Sequence, residues 1–91
     1  MKRHLMRYVK YVMGGRVIIK LMGLFSHLAG AKEVEIKIDG KRRVGDVLRE
    51  VIPRFDEVKE KIIIINGKVA TEDAEVSDCD VVKVMPVLSG G

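Results

Sequence analysis

The residues best placed to do chemistry stand at the end of this 91-residue chain, in Val87-Leu88-Ser89-Gly90-Gly91. Two glycines in the last two positions have no side chain to pack, and each costs backbone entropy to order. They leave a bare, narrow carboxylate that an enzyme can thread through a tight channel and act upon. The same dipeptide also suits a frayed terminus or an expression scar. Gly90-Gly91 alone does not choose between the two.

No other constellation offers a centre of reaction. His4, His27 and Cys79 lack metal-ligand spacing, so no metal site is expected. Cys79 has no basic cluster beside it to stabilise a thiolate and reads as a small core or loop residue. As the single cysteine it excludes an internal disulfide and suits a reducing cytoplasm. Lys68 follows Gly67 without the context of a phosphate loop. Asp56-Glu57 and Glu72-Asp73 read as solvated loop charges rather than paired catalytic carboxylates.

Composition narrows the partners. The length fits one small domain, and with 47% hydrophobic but only 4% aromatic residues its core must be aliphatic. There is no apolar run of about 18 residues, hence no membrane span. The net charge of +4 is confined to residues 1–15, where Lys2, Arg3, Arg7 and Lys10 meet no acid; residues 16–91 hold 13 basic and 13 acidic residues. A neutral domain with few aromatics speaks against nucleic acid as its partner. The basic arm, residues 1–15, carries Leu5, Val9, Val12 and Met13 at helical spacing and ends at Gly14-Gly15. It reads either as an anchor for an anionic surface or as an unordered leader.

Between arm and tail, residues 16–86 read as strands around one helix. Arg16 to Met22 is a β-branched strand, with Val17, Ile19 and Leu21 on one side and Ile18, Lys20 and Met22 on the other. Gly23 to Lys32 reads as a loop. Glu33 to Asp39 alternates, Val34, Ile36 and Ile38 inward, so the first two strands form an antiparallel pair. Val44, Val47, Leu48, Val51 and Ile52 make one helical stripe, which Pro53 ends. A short turn from Phe55 to Glu60 points Phe55 and Val58 inward. Ile62 to Ile65 is a continuous apolar strand, and Asn66-Gly67 turns it into Lys68-Val69-Ala70. Thr71 to Asp80 reads as irregular, anchored by Ala74 and Val76. Asp80 to Met85 is the last strand, and Pro86 stops it. The result is a two-layer α+β domain, with the helix on one sheet face and the other left open.

This order, together with Val44-Gly45-Asp46-Val47-Leu48, Ile65-Asn66-Gly67-Lys68 and the tail Pro86 to Gly91, resembles the ubiquitin-like β-grasp of the MoaD/ThiS-like sulfur carriers. The fold expected is a mixed sheet of four to five strands with one main helix. The length and the ten-residue first loop are most similar to the small subunit of molybdopterin synthase, although that subfamily often has two prolines where this chain has Pro86 alone. The resemblance implies a carrier rather than an enzyme, binding no cofactor itself. A ubiquitin-activating-type adenylating enzyme would spend ATP on the Gly91 carboxylate, and a persulfide would convert it to a thiocarboxylate. The sulfur would pass to an acceptor such as the large subunit of molybdopterin synthase. Thiamine or tRNA sulfur carriage, and conjugation to protein lysines as a ubiquitin-like modifier, are the alternatives it also implies. In this reading Pro86, Val87, Leu88, Ser89 and Gly90 lead the tail into the partner. Ile18, Met22, Val81 and Met85, on the open sheet face, are the expected docking residues.

Overall fold

The computed structural model describes residues 15–87; the arm before Gly15 and the tail residues Leu88, Ser89, Gly90 and Gly91 lie outside them. In chain order the elements are β1 (Gly15–Leu21), α1 (Leu24–Ala29), β2 (Glu33–Ile38), β3 (Arg42–Arg43), α2 (Val44–Val51), a 3-10 turn (Phe55–Glu57), β4 (Lys61–Ile65), β5 (Lys68–Ala70), β6 (Glu75–Val76) and β7 (Val81–Pro86). Five strands form one sheet in the order β2-β1-β7-β4-β5, while β3 and β6 pair separately. β7 lies parallel to β1 and antiparallel to β4, so the strand that leads into the tail is the middle strand of the sheet.

Period-2 alternation decides which face is covered. Val17, Ile19 and Leu21 of β1, Val82 and Val84 of β7 and Ile63 of β4 are buried together with Val44, Val47 and Leu48 of α2 and with Ile52. Each such side chain stabilises the fold by about 1.5–3 kcal/mol through removal from water. Helix α2 stops where Pro53 requires: Ile52 is extended at φ −112°, ψ 105°, as a residue preceding proline prefers. Its N-terminus has no side-chain cap. The N–H groups of Val44 and Gly45 donate instead to the carbonyls of Ala74 and Glu72, which satisfies groups that have no partner within a helix. That requirement organises the 71–76 segment, and β6 pairs with β3 alongside it.

Three sequence expectations need correction. Gly23 to Lys32 is not all loop, because Leu24–Ala29 is a helix. Phe25, Leu28 and Ala29 stand at i, i+3 and i+4; Phe25 is fully buried, and the other two pack against the core. Gly15, placed in the arm, opens β1 opposite Ile38. Thr71 to Asp80 is not wholly irregular, since it contains β6.

Candidate functional site: the root of the tail and the open sheet face

The tail leaves from a firmly held root. Val82 and Val84 are fully buried. Pro86, the last residue of β7, lies opposite Lys61; having no N–H, it can occupy only a position where the ladder needs no donor. Beyond it, Val87 donates its N–H to the Glu60 carbonyl at 3.0 Å. On the other side, Met22 donates to the Val84 carbonyl at 3.0 Å and leads into Gly23. Gly23 has φ +53°, and a Cβ there would stand 3.3 Å from Cγ of Pro86. Only glycine suits this backbone at this distance, so α1 starts directly against the proline. Glycine at 23 and proline at 86 are thus packed against one another at the end of β7.

The start of β7 is fixed just as closely. Asn66 accepts the Val81 N–H on Oδ1 at 2.9 Å and donates from Nδ2 to Asp80 at 2.9 Å. Asp80 in turn accepts the Ser77 N–H at 2.8 Å. Asn66 adopts φ +50° and Gly67 φ +84°, the left-handed pair that a tight hairpin requires. One residue therefore turns β4 into β5 and pins the register of β7.

The proposed docking residues share the open face. Ile18 lies opposite Val81, Met85 lies opposite Ile62, and Met22 continues the same side of β1 into the tail root. The registry adds residues that sequence reasoning left out. Ile62 and Ile64 project to the open side while Ile63 is buried, and Ile64 faces Val69 across the β4–β5 hairpin. A four-isoleucine run in an inner strand must place two on each face, which was the signal available. Lys20 and Lys83 lie opposite one another on this face. Glu33 and Glu35 border it from β2, and Arg16 pairs with Glu35 at 3.0 Å. Pro86 and Val87 sit at the root itself, whereas Leu88, Ser89, Gly90 and Gly91 are outside the described residues.

Several of the other charges hold structure. Arg49 binds Asp46, Asp56 and Glu72, Arg43 binds Asp73, and Arg54 binds Glu57. The carboxylates of Asp56-Glu57 and Glu72-Asp73 are thus each paired with arginine. Hydrogen bonds from Arg42, Arg49 and Arg54 hold the Glu50, Asp56 and Glu57 carboxyls below the usual range. Lys61 places Nζ 4.2 Å from the Phe55 ring centroid and 2.9 Å from the Val58 carbonyl. Cys79 is exposed, and the charge of Asp78 beside it, then its hydrogen bond, raises the thiol above its ordinary value, which disfavours the nucleophilic thiolate. Among the described residues no three metal-ligating side chains gather, and no helix is long and apolar enough to cross a membrane.

The geometry agrees with what known proteins share. Small archaeal modifier protein 1 (SAMP1) of Haloferax volcanii superposes with a TM-score of 0.71 at 25% identity, over 85% of this chain and all of that one. A putative molybdopterin converting factor subunit 1 of Pyrococcus furiosus is 31% identical, with a TM-score of 0.63 over 81% of this chain and 99% of that one. SAMP1 of Methanosarcina acetivorans, at 24% identity and a TM-score of 0.65 over 86% of this chain and 98% of that one, shares the fold. The family model named ThiS matches residues 19–91, from within β1 through Gly91. With this sheet, this rooted tail and that match, the chain belongs to the ThiS family.

Proposed function

We propose that this chain is a sulfur carrier that works through the Gly91 carboxylate. A carboxylate resists nucleophiles because of its charge and its poor leaving oxygen. A separate ubiquitin-activating-type enzyme overcomes this by joining the carboxylate to the α-phosphorus of ATP, releasing pyrophosphate. The terminal sulfur of a persulfide then attacks the acyl carbon and AMP leaves. Cleavage of the remaining S–S bond by a thiol frees a thiocarboxylate. The carrier supplies the reacting atom but no acid, base or metal. Gly90 and Gly91 pass a narrow channel because they have no Cβ, Ser89 allows close backbone approach, and Val87 and Leu88 rest in an apolar groove.

The observation that carries this reading is the family match running through Gly91 in a chain whose middle strand holds the tail root. Its 31% identity to the putative molybdopterin converting factor subunit 1 favours molybdopterin biosynthesis as the destination, with the large subunit of the synthase as acceptor. The open face of Ile18, Met22, Val81 and Met85, widened by Ile62 and Ile64, is the docking surface in this reading. Its apolar character suits a partner that removes it from water.

The likeness to SAMP1 at 25% identity favours a second reading, in which the activated Gly91 is joined to lysines of other proteins. Two measurements on the producing cells separate them. Sulfur transfer predicts that deleting this chain's gene halts formation of the sulfur-bearing cofactor. Conjugation predicts lysines of other proteins that carry, after trypsin, the branch Val84 to Gly91 left by cleavage at Lys83, and cofactor levels unaffected by the deletion would refute the first reading.

A further inference from the structure

We propose that Met22, Leu24 and Val87 form an apolar collar around the tail root and that it seats the apolar rim of the adenylating enzyme's channel, with Leu24 its deciding residue. This rests on the reading of Gly91 as the activated carboxylate. Four large hydrophobic side chains stand out as exposed among the described residues: Met22 at 43%, Leu24 at 46%, Val69 at 77% and Val87 at 40%. Three of them belong to segments that flank the end of β7. Met22 is tied to the Val84 carbonyl, Gly23 abuts the Pro86 ring, and Val87 is tied to Glu60. Leu24 follows Gly23 as the first residue of α1. Its neighbour Phe25 is fully buried, so the core clamps α1 while Leu24 stays turned to solvent.

The length of the leash brings the enzyme close to this collar. The last described backbone tie is at Val87, and Gly91 is four residues further on. Four residues span at most about 14 Å when fully extended. A channel that encloses Gly90 and Gly91 takes up about half of that length, so its mouth stands within about 7 Å of Val87. Exposed aliphatic side chains at that place gain by burial only if the facing rim is apolar. The Ile18–Val81 pair lies six residues back along the chain from Val87, about 20 Å of strand. The leash does not compel an enzyme to cover that pair.

The test is ATP–pyrophosphate exchange by a ubiquitin-activating-type enzyme that accepts the full chain, with wild type, Leu24→Glu, Met22→Glu and Val69→Glu compared. Leu24 takes no part in the core, and glutamate suits a first helical turn; thermal unfolding of each variant checks that the fold is kept. Leu24→Glu should raise KM for the chain by about tenfold or more with kcat within about twofold, the pattern of lost binding rather than lost chemistry. Met22→Glu should act in the same direction, and Val69→Glu, away from the root, should stay within about twofold of wild type. A folded Leu24→Glu with unchanged KM, or Val69→Glu as damaging as Leu24→Glu, overturns the collar alone. Failure of the wild-type chain to support exchange with any such enzyme overturns the reading beneath it as well.

Discussion

Replacing Phe25 by alanine tests whether α1 is clamped into the core. The side chain is 0% exposed, and its ring centroid lies 5.8 Å from that of Phe55, a contact between α1 and the 3-10 turn. Truncating a buried phenylalanine costs about 3–5 kcal/mol, the lost transfer energy plus the cavity left behind. A domain of this length has roughly 5–14 kcal/mol in total, from about 0.05–0.15 kcal/mol per residue. The variant should therefore lose a large share of its stability, with a fall in Tm upward of about 12 °C. Urea unfolding should show the midpoint lowered with an unchanged slope. Leu24→Ala, one residue away but exposed, should stay within about 0.5 kcal/mol of wild type. A loss below about 1 kcal/mol for Phe25→Ala, or equal losses for the two variants, would refute the placement of α1.

Gly67→Ala should cost about 1–2 kcal/mol in urea unfolding, the expense of left-handed backbone with a Cβ, because φ is +84° and nothing lies within 4 Å of the added carbon. Stability should also fall with acid. Glu50, Asp56 and Glu57 are held below the usual carboxylate range by hydrogen bonds from Arg42, Arg49 and Arg54, so the unfolded chain binds more protons near its ordinary pKa of about 4. Their contribution is complete above that pH and disappears as pH falls through the depressed folded values. Urea midpoints from neutral pH down to acid should trace this fall. Arg49→Met should flatten it by removing the share of Asp56, though the exposure of these pairs keeps the change small.

Local patterns in the sequence were enough to show α2, β2 and the Asn66-Gly67 hairpin, because each buries one face of a regular element or needs a particular turn. They were not enough for α1. Six residues between two glycines, without a capping side chain, give a helical stripe too short to separate from a loop, and it is the packing of Phe25, with Leu28 and Ala29, against the core that stabilises it. The β3–β6 pairing joins Arg42 to Val76. It follows from the need of α2 for carbonyl partners, which no local pattern reports. The parallel pairing of β1 with β7 is likewise non-local; the family resemblance implied a mixed sheet without saying which strands pair. In the candidate site, alternation placed Ile18, Met22, Val81 and Met85 on the open face. Ile62 and Ile64 were hidden inside a run read as uniformly apolar, and Leu24 was missed together with its helix.

Sulfur carriage by this chain changes one atom of Gly91, and intact-mass spectrometry reads that change directly. The chain, a ubiquitin-activating-type enzyme, ATP and a persulfide donor are incubated, then the chain is weighed and its tail fragmented. The expected result is a mass gain equal to one oxygen replaced by sulfur, located at Gly91 and absent without ATP. An unchanged mass, under conditions in which the same enzyme converts a known carrier, would contradict it.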